Sequence, residues 1–273
     1  MKSREVARPG SFIRVFEQGQ GPLTPILLVS GFIGTASFWQ PIVADLSRTR
    51  RVISFDQRGT GTSGEFSMPL TMEQLAQDAL AVLAETGSRS VHVIGHSAGA
   101  GVAITLAARH PDLVASLTLI GGWTRADMWM RRVFEARLDS LDAKGALAYL
   151  ETTTLFMRPP TDLRDCGVSL LDEEQRSLLS FPGATRIRAR AEAVLAWDSA
   201  RFTADIRCPT LVMGSADDWM TPFYLSEDLA REIPGATLHR LEQGGHYGVR
   251  SRPQQTLQPM LAFLAQADSS SSA

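Results

Sequence analysis

Residues 91–101 read VHVIGHSAGAG and lead directly into VAITLAARH, residues 102–110. The first four residues have the character of a buried strand, and the residues after Gly101 have that of a helix. Ser97 therefore lies at an abrupt strand-to-helix turn, between Gly95 and Gly99. A G-x-S-x-G pattern in this context is typical of a turn that exposes a nucleophilic serine at the edge of a sheet. The stretch predicts that Ser97 is a nucleophile.

A simpler interpretation makes Ser97 an N-cap, a role that serine often has at the start of a helix. It accounts for the serine but leaves Gly95, Gly99 and Gly101 without a reason. Glycine at a helix start weakens the helix unless another part of the backbone must approach closely. We therefore favour the nucleophile over the cap.

Apolar runs recur along the chain and alternate with segments of helical period, which predicts a mostly parallel sheet with helices on both faces. The fold class expected is therefore α/β. The predicted strands are 26–30, 52–55, 91–94, 115–120 and 210–213. The predicted helices are 37–48, 71–85, 100–109, 130–141, 184–197, 224–232 and 255–265.

The alternation is interrupted between about residues 125 and 205, where the sequence is helical, rich in arginine and poor in strands. We expect a helical lid, 125–205, inserted into a core formed by residues 1–124 and 206–267. The serine-rich end of the chain, 268–273, has too few apolar residues to fold and is expected to be a disordered tail.

Composition restricts the possible partners. The 273 residues carry a formal net charge of −2, which gives no electrostatic reason to expect nucleic acid or an anionic membrane as a partner. A small-molecule substrate fits better. Cys166 and Cys208 are isolated and lack the spacing of a zinc site, so we expect no metal and no cofactor. Residues 1–12 lack an apolar signal region, and we expect a cytoplasmic protein.

A serine nucleophile needs a base and an orienting acid, in the chain order serine, acid, histidine. Four of the five histidines are set aside: His92 lies in a predicted strand, His96 precedes the serine and His110 ends the following helix. The fourth, His239, lies in the strand-like run TLHRLE (237–242). The remaining one, His246, lies in the glycine-containing loop QGGHY, which follows this strand-like run. We therefore expect His246 to be the base.

The acid is expected in the loop after the strand TLVMG, where the sequence continues SADDWMTP. Asp217 and Asp218 compete for this role. Asp217 is preferred, because it lies three residues after the glycine that ends the predicted strand, at the carboxyl edge of the sheet. Asp218 is interpreted as a turn or cap residue.

The oxyanion hole in this mechanism is formed by the N–H of the residue after the nucleophile and by an N–H from the loop after an early strand. These requirements assign the backbone N–H groups of Ala98 and Phe32. Phe32 follows Ser30-Gly31 at the end of the strand ILLVS, and Gly34 leaves room for substrate to approach the backbone.

Five ordered motifs resemble those of the α/β-hydrolase superfamily over nearly the whole chain. They are ILLVSGFIG (26–34), FDQRGTGTS (55–63), GHSAG (95–99), GSADD (214–218) and GGHY (244–247). The resemblance implies that Asp56 and Arg58 brace a loop and do not act in catalysis. Many members have His-Gly where this chain has Ser30-Gly31.

A narrower resemblance is to the aminoacrylate hydrolases of pyrimidine degradation, which are similar in turn to 3-oxoadipate enol-lactonases. It rests on DQRGTG (56–61), GGW (121–123), RRVFEARLDSL (131–141) and LFMRPP (155–160). This resemblance implies that the substrate is a small carboxylate, an intermediate of catabolism.

An arginine of the lid facing inward would bind such a carboxylate. The candidates are Arg125, Arg131, Arg132, Arg137, Arg158, Arg186, Arg188 and Arg190, although most arginines of a lid cover its solvated face. We expect Ile33, Trp123, Trp219 and Tyr247 to contact the substrate.

The sequence thus predicts a cofactor-independent serine hydrolase that cleaves a small ester, lactone, amide or enamine-type carboxylate. One alternative keeps the same triad but hydrolyses a C–C bond, as in meta-cleavage product hydrolases. An alternative of another class is a noncatalytic ligand-binding module on the same fold. The oligomeric state does not follow from the sequence.

Overall fold

A computed structural model describes residues 1–66 and 69–270, and in this part of the chain one sheet contains eight strands. The strands are β1 (Lys2–Arg8), β2 (Ser11–Gln18), β3 (Leu23–Val29), β4 (Arg50–Asp56), β5 (Val91–His96), β6 (Val114–Ile120), β7 (Thr210–Ser215) and β8 (Thr237–Leu241). Their order across the sheet is β1-β2-β4-β3-β5-β6-β7-β8. β1–β2 and β2–β4 pair antiparallel, and every other neighbouring pair is parallel. The predicted α/β class with a mostly parallel sheet is confirmed.

The helices cover both faces of this sheet. They are α1 (Gln40–Leu46), α2 (Met72–Glu85), α3 (Ala98–Arg109), α4 (Met128–Lys144), α5 (Ala146–Met157), α6 (Pro160–Cys166), α7 (Ser169–Leu179), α8 (Ala184–Ala196), α9 (Phe223–Glu232), α10 (Gly248–Ser251) and α11 (Pro253–Ser270). Alternate residues of a strand point to opposite faces. On β3, Leu27 and Val29 accordingly join the core beneath α2 and α3, whereas Ile26 and Leu28 join the core beneath α1 and α11.

All five predicted strands are present, as β3 to β7. Sequence reasoning missed the hairpin of β1 and β2 at the edge of the sheet. In β1 only Val6 is buried, so the strand has no apolar run to reveal it.

The chain between β6 and β7 contains α4 to α8, which fall within the segment predicted as a lid. The predicted helices 130–141 and 184–197 correspond to α4 and α8, while α5, α6 and α7 were not predicted. Among the described residues, no helix is long and apolar enough to cross a membrane.

The prediction of a disordered tail at 268–273 is wrong for residues 268–270, which continue α11. The Asp268 carboxylate accepts hydrogen bonds from Arg50 (2.7 Å) and from Nε2 of His92 (3.0 Å). Burial by itself would raise the pKa of Asp268, but these two partners outweigh it and lower that pKa. One ion pair therefore anchors a segment whose composition alone indicated disorder, and residues 271–273 lie outside the described part of the chain.

Candidate active site

Ser97 occupies the turn between β5 and α3 in a strained backbone conformation. Its φ is 55° and its ψ is −123°, and it is the one non-glycine residue with positive φ in the described part of the chain. Such a conformation typically costs about 1–3 kcal/mol and is concentrated at functional sites. The Ser97 side chain makes no capping hydrogen bond, so the geometry does not support the N-cap interpretation.

The glycines around Ser97 are required by close approach of the backbone. A Cβ on Gly95 would lie 2.4 Å from the Gly99 carbonyl oxygen, and a Cβ on Gly99 would lie 2.1 Å from the Val29 carbonyl oxygen. A Cβ on Gly31 would lie 3.1 Å from the Ser97 Cβ. These contacts bring the loop after β3 directly against the serine.

His246 lies in a 3-10 turn after β8, and its side chain is buried. Its Nδ1–H donates to Asp218 Oδ2 at 2.8 Å. Nε2 has no hydrogen-bond partner within the described residues. Because Nδ1 holds the proton, the neutral ring keeps its lone pair on Nε2, the tautomer that a general base requires.

The acid on His246 is Asp218, and the preference for Asp217 is corrected by this geometry. Oδ1 of Asp218 accepts from the N–H groups of Met220 (2.8 Å) and Thr221 (2.9 Å), while Oδ2 accepts from His246 and from the Thr221 hydroxyl (3.1 Å). The physical reason is the length of β7, which continues to Ser215. The third residue after the observed end of the strand is therefore Asp218.

Asp217 contacts the same histidine loop from another side. Its carboxylate accepts from the backbone N–H groups of Gly245 (2.9 Å) and Gly244 (3.2 Å). Both glycines have positive φ, so Asp217 holds a loop conformation that other residues rarely adopt. The two aspartates thus have separable roles, one on the imidazole and one on the backbone that carries it.

The N–H groups of Phe32 and Ala98 are free to receive an oxyanion, since neither donates a hydrogen bond in residues 1–66 and 69–270. The Phe32 carbonyl, in contrast, accepts from Arg190 Nη1 at 2.9 Å. The same guanidinium donates to Gln57 Oε1 (2.9 Å) and to the Arg58 carbonyl (2.5 Å). Burial lowers the pKa of Arg190 to about 10. Helix α8 is therefore bonded to the loop that carries Phe32.

The loop after β4 is braced by the residues that the resemblance implied. Asp56 accepts hydrogen bonds from the N–H groups of Ala36 and Thr62, both at 2.8 Å. Arg58 donates to both oxygens of the buried Asp78 (2.6 and 2.5 Å). Neither Asp56 nor Arg58 lines a hollow at Ser97.

Two small hollows meet at Ser97. The inner hollow has Phe32, Ser97, Ala98, Trp123, Phe134, Arg137 and His246 among its lining residues. The outer hollow has Gly31, Phe32, Ile33, His96, Ser97, Arg137, Thr153 and Tyr247 among them. A larger cleft of about 240 Å³ lies between α2 and α8 and contains none of the predicted site residues.

Three of the four predicted substrate contacts lie in these hollows: Trp123 in the inner one, Ile33 and Tyr247 in the outer one. Trp219 does not. Its side chain is half exposed, it lines neither hollow, and its carbonyl accepts from the Trp129 indole. The chain turns at Asp218, so the following side chain points away from the site.

Sequence reasoning did not single out Arg137, which lines both hollows. A signal was present, because the buried positions of α4 are 130, 133, 134, 137 and 141. These positions repeat at helical spacing, and Arg137 falls on the apolar stripe that they form.

His96, next to the nucleophile, is a second buried histidine. Its Nε2–H donates to the His246 carbonyl at 2.8 Å, and Phe38 stacks on its ring with 4.4 Å between centroids. Burial, reinforced by the neighbouring His246, lowers the pKa of His96 well below its usual value. His96 is therefore a neutral support for the histidine loop.

No cluster of three or more His, Cys, Asp or Glu side chains within the described residues is placed to hold a metal ion. The site brings together a strained serine, a buried histidine–aspartate pair and two backbone N–H groups without an acceptor in the described structure.

This fold and site define a class of protein, and comparison with known families agrees. Residues 24–252 match the family model for the α/β hydrolase fold, and the chain belongs to that family. It is a hydrolase that acts on a small molecule.

Among its relatives is a RutD protein of Azorhizobium caulinodans, provisionally named a carbamate hydrolase. The two are 37% identical over 249 residues, which cover 91% of this chain and 94% of the relative. A RutD protein of Caulobacter sp. strain K31 is 34% identical, and the alignment covers 88% of this chain and 90% of that relative. The crystal structure of the enol-lactonase of Burkholderia xenovorans LB400 superposes with a TM-score of 0.86 at 25% sequence identity. The superposition covers 96% of this chain and 100% of the enol-lactonase chain.

Proposed function

We propose that this chain is a serine hydrolase in which Ser97 is the nucleophile, His246 the general base and Asp218 the residue that orients the base. The observation that carries the proposal is the state of His246. Asp218 holds its Nδ1–H, its buried Nε2 is unpartnered in the described structure, and it shares the inner hollow with the strained Ser97.

In the acylation step, His246 Nε2 accepts the Ser97 hydroxyl proton while the serine oxygen attacks the substrate carbonyl carbon. The carbonyl oxygen becomes an oxyanion and accepts from the N–H groups of Phe32 and Ala98. Removing one such donor typically costs about 2.7–4 kcal/mol of transition-state stabilisation. The bond to the leaving group then breaks, and the leaving group takes the proton from His246.

In the deacylation step, His246 accepts a proton from water, and the resulting hydroxide attacks the acyl carbon. The bond to the serine oxygen breaks, Ser97 regains its proton, and the acid product leaves. Both steps are balanced with water as the only co-reactant, so the proposed reaction uses no cofactor.

The proposed substrate is a small ester, lactone, amide or enamine-type carboxylate from catabolism. The names of the relatives add a carbamate to these candidates, and the enol-lactonase supports the lactone. Helices α4 and α5 carry residues of both hollows and α8 carries one residue of the inner hollow, which supports a role for this insertion as a lid over the site. We place the protein in the cytoplasm.

The test is turnover of a substrate panel by the wild type and by Ser97→Ala. The panel contains neutral aryl esters, anionic enol-lactones, carbamates, enamine acids and meta-cleavage diketones. We expect hydrolysis of at least one class, with a loss of about 10³-fold or more in Ser97→Ala.

Ser226→Ala is the matched control, because Ser226 is fully buried and its hydroxyl has no partner in the described structure. It should fold and turn over as the wild type does. Full activity in Ser97→Ala would reject the nucleophile. Turnover of diketones alone would favour the C–C hydrolase, and no turnover of any class would favour a binding module.

A further inference from the structure

Arg137 of helix α4 is a buried cation beside the nucleophile without an acidic partner in the described structure. Its side chain is 2% exposed. Its hydrogen-bond acceptors are all neutral: Thr153 Oγ1 from Nε (3.0 Å), the Tyr149 hydroxyl from Nη2 (2.5 Å) and, weakly, Met220 Sδ from Nη1 (3.8 Å). Buried charges in proteins are usually paired with an opposite charge, and this guanidinium lacks such a partner among the described residues.

The other seven candidate arginines of the lid are accounted for without a ligand. Arg158, Arg186 and Arg188 form ion pairs with Glu173, Glu65 and Asp142. The exposed ones, Arg125, Arg131 and Arg132, lie on the surface of the insertion, and Arg190 is bonded to the core loops. In the described chain Arg137 is the one lid arginine that lines both hollows at Ser97.

The rings around Arg137 orient its donors. The guanidinium carbon lies 4.8 Å from the ring centroid of Phe134, 5.0 Å from that of Tyr149 and 5.2 Å from that of Phe32. Contacts with ring faces stabilise the flat faces of the cation but leave the N–H donors at its edge unsatisfied. Of the five N–H groups, one on Nη1 and one on Nη2 have no acceptor in the described structure.

We propose that Arg137 binds the free carboxylate of an anionic substrate, with the scissile carbonyl placed at Ser97. Two donors on adjacent nitrogens match the two oxygens of a carboxylate, an arrangement that also fixes its orientation. Phe32 contributes its ring to the Arg137 enclosure and its N–H to the proposed oxyanion hole, so one residue connects the two ends of the substrate.

The size of the outer hollow limits the acid. It holds about 100 Å³, room for several water-sized groups. This space suits a short-chain acid whose carboxylate is a few atoms from the scissile bond. The inference rests on the proposed function, since it places the reacting carbonyl at Ser97.

The kinetic test uses two esters that differ by one charge: the p-nitrophenyl monoester of glutaric acid and its methyl ester. We expect the wild type to prefer the monoester. Arg137→Met should lower kcat/KM for the monoester by at least about 10-fold, and up to about 100-fold, while changing the neutral ester by less than about 3-fold. Arg137→Lys, which keeps the charge but not the paired donors, should fall between these values.

Arg132→Met is the matched control, because Arg132 is on the same helix, is exposed and pairs only with Glu135. It should leave the preference for the anion unchanged. Equal losses on both esters in Arg137→Met, with the preference retained, would mean that Arg137 only supports the fold. A wild type without any preference for the monoester would equally overturn the proposal.

A binding readout separates this inference from the proposed function. Glutarate should raise the Tm of Ser97→Ala increasingly as its concentration rises, and this shift should disappear in Ser97→Ala/Arg137→Met. A shift that survives the loss of Arg137 would overturn the assignment. If Ser97→Ala retained turnover while the shift still depended on Arg137, the nucleophile would be wrong and the carboxylate site would stand.

Discussion

Replacing Asp218 by asparagine separates orientation of the base from support of its loop. The side-chain oxygen of the asparagine can still accept from the N–H groups of Met220 and Thr221, as Oδ1 of the aspartate does. The position of Oδ2, 2.8 Å from His246 Nδ1, would then hold an NH₂ group. Because NH₂ donates and cannot accept, we expect the imidazole to move its proton to Nε2 and to accept at Nδ1. A ring protonated at Nε2 cannot take the proton of Ser97.

The expected loss is in catalysis far more than in folding. The equivalent aspartate-to-asparagine change in the serine-protease triad lowers kcat by about 10⁴-fold. At about 1.36 kcal/mol per tenfold change, this corresponds to about 5.4 kcal/mol of transition-state stabilisation. The free energy of unfolding should fall by only about 1–2 kcal/mol, because the two backbone bonds to Oδ1 persist.

The assay is kcat/KM on a neutral aryl ester, with the free energy of unfolding measured in urea. Asp217→Asn is the matched control, since its side-chain oxygen can keep the shorter bond to the Gly245 N–H. We expect it to retain activity within about tenfold and to cost about 1 kcal/mol of stability. The reasoning is refuted if Asp218→Asn keeps more than a tenth of wild-type kcat/KM, or if Asp217→Asn loses as much.

Three further substitutions test neighbouring parts of the account. Arg190→Met removes the bond to the Phe32 carbonyl and should lower both kcat and the free energy of unfolding, the latter by about 3 kcal/mol; unchanged values in kinetics and urea unfolding would contradict this. Since folding lowers the pKa of His96, the unfolded chain binds more protons than the folded chain below about pH 6.5. The free energy of unfolding therefore falls as the pH is lowered from about 6.5. His96→Gln should remove up to about 1.4 kcal/mol per pH unit of that slope in urea melts from pH 7 to 5, and an unchanged slope would count against it. Asp268→Ala leaves the Arg50 cation without its carboxylate and should lower the free energy of unfolding by about 2 kcal/mol. A change below about 0.5 kcal/mol would support the original prediction of a disordered tail.

The parallel part of the sheet was predictable because β3 to β7 are buried on both faces and read as continuous apolar runs. The β1–β2 hairpin was not, since its stability comes from pairing with β4 and few of its side chains are buried. Ser97 and its glycines were recognisable because strain and close approach leave few alternative residues.

The choice between Asp217 and Asp218 was beyond sequence reasoning for a geometric reason. The two carboxylates are adjacent in the chain, and a shift of one residue in the end of β7 exchanges their directions. Arg137 was hidden in a different way, because the eight candidate arginines of the insertion are chemically equal. Its position on the apolar stripe of α4 distinguished Arg137 from the others. That its hydrogen-bond partners on α5 are neutral became visible only in the packing of the two helices.

The central claim is that Ser97 is the nucleophile activated by His246. The most direct measurement is covalent trapping with diethyl p-nitrophenyl phosphate, followed by intact-mass and peptide analysis. We predict one diethylphosphoryl group per chain, on the peptide that contains Ser97, with no label in Ser97→Ala and much slower labelling in His246→Gln. A label on another residue, or equal labelling of Ser97→Ala, would contradict the account.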